Sequence, residues 1–238
     1  MKFYTYISDT KVDMLYAQIP ISVRNKVATE LKIDLQVLST TFKQDSAETT
    51  RFSKLKVVTE YVEKHEKVGT IDSPSFFFRG VLPMRWGKLF DTDAVYFGGI
   101  TKKTVLGLSG SGKHVIGEVG TSETGLPGSG ATFLMQLIQM DAHGASLLKE
   151  NNEGITEEQK KALQTLAKLQ GWDTGEDRIN QLLLSVVKSI TENTEGPVQK
   201  LEFLAKRLIE GYDLRTNPSN PEAKRILLGS PIYIALAE

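Results

Sequence analysis

Apolar positions along the chain follow two rhythms, one of period two and one near 3.6, and the rhythm changes every ten to twenty residues. Phe3 to Ile7 is aromatic and β-branched and runs directly into Ser8-Asp9-Thr10, residues that favour the N-cap of a helix. A strand feeding a helix is the expected reading. Val12, Leu15, Tyr16 and Ile19 then recur at helical spacing until Pro20 stops the pattern. Leu35 to Phe42 reads as a second strand. Over residues 50–66, Phe52, Leu55, Val58 and Val62 form one stripe, with most of the charged positions elsewhere and Gly69 following, so an amphipathic helix is predicted.

The next stretch is punctuated by Gly and Pro. Ser75 to Val81, Met84 to Leu89, Ala94 to Gly99 and Thr104 to Leu108 are short apolar segments that predict an antiparallel meander, with Thr101-Lys102-Lys103 at an exposed tip. Five glycines between Gly117 and Gly130 predict a loop. Beyond it the helical period dominates. Thr156 with Gln159 and Thr174 with Asp177 have capping-box spacing, Ile179 to Ile190 form a stripe, and Pro197 with Val198, Leu201, Leu204 and Leu208 reads as a last helix ending at Gly211. After two further prolines, Arg225 to Leu228 reads as a strand that returns to the N-terminal sheet.

The expected fold is therefore α+β, a mostly antiparallel sheet with packed helices and a helical C-terminal half whose last strand rejoins the sheet. The corresponding divisions are a sheet domain at 1–117, a Gly-rich loop at 118–130, a helical insertion or layer at 131–216 and the return at 217–238. With 238 residues and 40% hydrophobic composition the chain can bury an ordinary core. Lys plus Arg equals Asp plus Glu at 29 each, so no net field favours nucleic acid or a membrane surface. The absence of cysteine removes disulfides and thiolate metal sites, and the three histidines have no metal-ligand spacing. No cofactor or metal is expected. No apolar run is long enough to span a bilayer and no signal-peptide pattern opens the chain, which points to the cytoplasm.

Candidate chemistry gathers at Gly107-Leu108-Ser109-Gly110-Ser111-Gly112-Lys113, which has phosphate-loop spacing after a strand. His114 stands where that motif needs a magnesium-binding hydroxyl, so the pattern predicts an anion cradle of backbone N–H groups rather than a nucleotide triphosphatase. The competing reading is a tight glycine turn. A similar Leu-x-Gly-Ser pattern recurs at Leu227 to Ser230, where Ser230-Pro231 has the chemistry of a second helix start, and the two could share a cleft. Asp9 and Lys11 lie at the first strand-to-helix junction. Arg85 and Trp86 put a cation and a ring on the meander, a pairing that can bind an anion or simply pack. No Gly-x-Ser-x-Gly elbow is present, and no catalytic residue is assigned.

Together the blocks Tyr6 to Asp13, Leu82 to Gly87, Val95 to Gly99, Lys113 to Gly117 and Leu228 to Pro231 resemble an uncharacterised bacterial domain family. The resemblance implies a bacterial intracellular protein with a gene setting in signalling or defence, and no activity. The expected function is a non-catalytic binding module for a small phosphate-bearing or anionic ligand such as a nucleotide signal. Its expected contacts are Asp9, Lys11, Arg85, Trp86, Ser109, Gly110, Ser111, Gly112, Lys113, His114 and Ser230. A hydrolase or phosphodiesterase using His114, Lys113 and Asp9, and a structural subunit that binds another protein, are the alternatives.

Overall fold

A computed structural model describes residues 2–31, 44–88, 94–117, 176–194, 196–212 and 217–238. In chain order the elements are β1 (Phe3–Ile7), α1 (Asp9–Gln18), α2 (Ile21–Glu30), α3 (Gln44–His65), β2 (Val68–Gly69), β3 (Phe77–Lys88), β4 (Ala94–Ile100), β5 (Thr104–Ser111), a 3-10 turn (Gly112–His114), α4 (Glu176–Asn193), β6 (Gln199–Gly211) and β7 (Arg225–Leu236). The expected strand at Leu35 to Phe42, the Gly-rich loop at 118–130 and the capping boxes starting at Thr156 and Thr174 lie outside the described residues.

Period-two alternation in the central strands sends side chains to two different cores. Val95, Phe97, Leu106 and Leu108 point one way and join Phe78, Leu82, Met84, Leu201, Phe203, Leu227 and Ile234. Ala94, Tyr96 and Val105 point the other way and meet Leu183, Leu184, Val186 and Val187 of α4. The first group is the inside of a closed barrel. Its strands run β3, β4, β5, β7, β6 and back to β3, all antiparallel except for the parallel β5–β7 pair. Closure is possible because the long strands change partner along their length. β3 pairs with β6 through Phe77 to Met84 and with β4 through Met84 to Lys88, and Pro83, which has no N–H to give, sits next to the handover. On the outer face away from α4, the helices α1, α2 and α3 cover Ile7, Phe77, Leu204, Ile232 and Tyr233.

This architecture corrects the expected α+β fold with a helical C-terminal half. The molecule is mostly β, its helices α1 to α3 lie in the first 65 residues, and the described C-terminal part contains one helix and two long strands. The misreading falls at residues 197–211, where Val198, Leu201, Leu204 and Leu208 stand at helical spacing but the backbone is β6. Both faces of β6 are covered. Leu201, Phe203 and Ala205 enter the barrel while Leu204 meets the α1–α3 layer and Leu208 and Ile209 meet α4, so apolar residues on both sides hide the period of two. The segments Ser75 to Val81 and Met84 to Leu89, expected as two strands, are joined in the single β3 from Phe77 to Lys88, with Leu89 outside the described residues. Arg225 to Leu228 is the start of β7, which pairs with β5 and then with β1, so the two ends of the described chain lie side by side.

Candidate functional site

The site lies where two paired strands part. β5 and β7 run parallel from Thr104 and Arg225 as far as Leu108 and Gly229, then separate. β1 enters the gap, pairing Ile7 with Tyr233 on one side and Tyr6 with Val115 on the other. At the apex of this fork the Ser230 hydroxyl donates to the Ser109 carbonyl at 3.4 Å, and further along the Ser8 N–H donates to the Ile232 carbonyl at 2.9 Å.

Buried polar side chains concentrate there. Seven described polar residues are buried, and five of them, Ser8, Ser109, Ser111, His114 and Ser230, belong to the fork. Ser109 Oγ there lacks a hydrogen-bond partner among the described residues, while His114 Nδ1 has the Asp9 carboxylate beside it and the Tyr6 hydroxyl lies against Ser8 and the Ser111 backbone. Unsatisfied buried polar atoms are uncommon because each forfeits its hydration without compensation. Burial pushes the Tyr6 hydroxyl well above the usual phenol range. Its oxygen also explains Gly110, since a Cβ at that position would sit 2.1 Å from Tyr6 Oη.

Charge reaches the fork from α1 and β6. Ser8 occupies the N-cap position of α1 but makes no side-chain capping bond; its Oγ accepts instead from Lys11 Nζ at 3.2 Å. Lys206 stands opposite Ser230 in the β6–β7 ladder and lies near enough to Lys11 to act on its titration. Burial first, and then the like charge of Lys206, push the Lys11 ammonium down to about 8. Neither lysine forms an ion pair with a carboxylate among the described residues, and Lys206 Nζ lies 4.9 Å from the centre of the Phe76 ring. Two cations without an anion between them form an electropositive spot on a molecule of zero net charge.

Asp9 is engaged elsewhere. Arg51 from α3 donates from Nε to one Asp9 oxygen at 2.5 Å and from Nη2 to the other at 2.7 Å, while also reaching the Ile7 carbonyl at 3.3 Å. His114 Nδ1 lies 3.5 Å from the same carboxylate. Burial raises the Asp9 carboxyl, but His114 and Arg51 outweigh it and hold the group below the usual carboxylate range. The fork rim is thereby fastened to the helix layer.

The structure brings Asp9, Lys11, Ser109, Gly110, Ser111, His114 and Ser230 to one place. Gly112 and Lys113 belong to the 3-10 turn that closes the fork, and Lys113 is exposed. Arg85 and Trp86 belong to a different neighbourhood. Arg85 Nε donates to the Gly196 carbonyl at 3.2 Å, and Trp86 stacks on Phe97 at 5.3 Å while its Nε1 donates to Gln199 at 2.9 Å. Of the segment 107–113 expected as a backbone cradle, residues 107–111 are regular strand of β5 and Gly112 and Lys113 lie in the 3-10 turn. Ser109 and Gly110 pair with Tyr96 and Val95 of β4, and the described glycines with positive φ are Gly117 and Gly196. Ser230-Pro231, expected as a helix start, lies inside β7. Reading the chain alone misses Lys206, Tyr6, Ser8 and Arg51 as parts of this site. Ser8 was legible only as a cap, and nothing local distinguishes Lys206 from any strand lysine.

The chain belongs to DUF7019, a family of unknown function, whose profile matches residues 2–238. No curated protein and no solved structure is similar enough to match it. The family assignment agrees with the resemblance to an uncharacterised domain family and attaches no chemistry to the fork. Among the described residues no helix is long and apolar enough to cross a membrane, and no group of three His, Asp or Glu side chains is placed to hold a metal.

Proposed function

We propose that this chain is a binding module for a small phosphate-bearing or otherwise anionic ligand, held in the fork between β1, β5 and β7. The observation that carries the reading is the part-buried Lys11 ammonium, which among the described residues hydrogen-bonds to the neutral Ser8 hydroxyl and has a second lysine, not a carboxylate, near it. A cation partly withdrawn from water without a counter-charge is costly, and an anion placed between Lys11 and Lys206 would offset that cost. Ser109 Oγ adds a donor that is otherwise unpaired. Binding is favoured over hydrolysis because both Asp9 oxygens are taken by Arg51, so the carboxylate serves as a strut and not as a base.

Calorimetry of the purified chain with inorganic phosphate, pyrophosphate and a panel of linear and cyclic nucleotides tests this reading. Lys11→Met and Lys206→Met are each expected to weaken the bound anion about tenfold or more, the scale of one charge-assisted hydrogen bond, and raised salt to weaken it further. Lys113→Ala separates the fork from the glycine turn. If Lys113→Ala abolishes binding while Lys11→Met leaves it intact, the ligand sits on the turn; if none of these anions binds the wild type, the reading fails.

A further inference from the structure

A second concave surface lies at the opposite end of β1, on the α3 side. It is a cleft of about 860 Å³, a volume ordinary for small-molecule sites. Phe52, Lys56, Thr59, Glu60 and Glu63 line it from α3, at a spacing that puts them on one helix face. Lys2, Phe3 and Tyr4 line it from β1, with Leu31, Ile116 and Tyr233 completing the walls.

Three rings form a continuous apolar floor. Tyr4 lies 5.6 Å from Phe52 in a tilted arrangement and 5.6 Å from Tyr233 edge to face, so the ring cluster offers both faces and edges to a further ring. Phe3, 64% exposed, extends this surface outward. The charges on the rim are unequal in their engagement. Glu60 pairs with Lys64 at 2.9 Å, Glu63 with Arg79 at 2.8 Å, and Lys2 with Glu202 at 2.6 Å. Lys56 is exposed and has no such partner among the described residues. The unmatched rim charge is therefore positive.

We infer that this cleft binds a planar aromatic molecule carrying one negative charge, its ring system against Tyr4, Phe52 and Tyr233 and its anionic group toward Lys56. This site is separate from the fork, whose polar lining is buried serines and two part-buried lysines. The test uses 8-anilinonaphthalene-1-sulfonate, an aromatic sulfonate of this description, titrated by fluorescence into the full chain. One saturable site is expected. Lys56→Glu should weaken it about tenfold, and Thr59→Trp should abolish it by filling the cleft, with circular dichroism confirming that both variants keep the wild-type fold. Inorganic phosphate should not displace the dye, which separates this proposal from the fork. Fluorescence that rises without saturation, or a saturable site unchanged in both variants, would overturn the inference.

Discussion

The barrel interior and the fork are built by the same strands and differ in almost every physical respect. Along β5, Leu106 and Leu108 turn inward and are sealed among apolar neighbours, while Ser109 and Ser111 next to them belong to the polar fork. Inside, the side chains are buried against one another and rings meet: Phe97 stacks on Trp86 and meets the edge of Tyr6. In the fork, the buried Ser109 hydroxyl lacks a hydrogen-bond partner and the part-buried Lys11 ammonium has no carboxylate beside it among the described residues. A protein folds on the first kind of region and tolerates the second only at a cost to stability. The contrast is the one the proposed function relies on, with the barrel as scaffold and the fork as the proposed ligand site.

The largest expected effect tests the scaffold side. Phe97 is fully buried, and Phe97→Ala removes a ring from the centre of the barrel, which should destabilise the chain by roughly 3–5 kcal/mol in urea unfolding. A loss of less than about 1 kcal/mol would mean that the interior is not the close-packed core described.

A middle-sized effect tests the fork. Because the folded value for Lys11, about 8, lies below its ordinary 10.5, its charged form opposes folding. That penalty is present in full below about pH 8 and disappears as the pH rises toward 10.5. Wild-type stability should therefore climb across this window relative to Lys11→Met, by roughly 1–3 kcal/mol. Added phosphate should flatten the climb by supplying the missing counter-charge. Parallel pH curves for the two proteins would show that Lys11 is not held out of water as described.

The smallest effect concerns the rim. The Asp9 carboxyl, with an ordinary value of 3.8, is lowered in the fold, so its stabilisation is present above 3.8 and lost as the pH falls through the lower folded value. The carboxylate is half exposed, which limits the gain, and Asp9→Asn should cost about 0.5–1 kcal/mol at neutral pH. The gap between the two proteins should close in acid. A gap that persists there would assign the effect to α1 geometry instead of charge.

Two helices and the meander were legible from the chain. α1 and α3 followed their helical stripes, and β4, although covered on both faces, was marked as a short apolar segment bounded by glycine. β6 was not legible, because apolar residues on both of its faces include a set at helical spacing and no glycine or proline interrupts it. The same limit applies to the site. Asp9, Lys11, Ser109, His114 and Ser230 could each be singled out by residue type, but their convergence comes from a parting of β5 and β7 that no local pattern encodes.

By itself the sequence determined local preference: that α1 starts after Ser8, that the short segments of the meander are extended, and that cysteine chemistry is excluded. Tertiary structure alone decided that Gly110 serves to clear Tyr6, that Ser8 receives Lys11 instead of capping α1, and that Lys206 stands beside Ser230. The physical reason is range. Propensity and periodicity act over a few residues, whereas the meeting of Gly110 with Tyr6 and of Ser109 with Ser230 depends on strand register between segments more than a hundred residues apart.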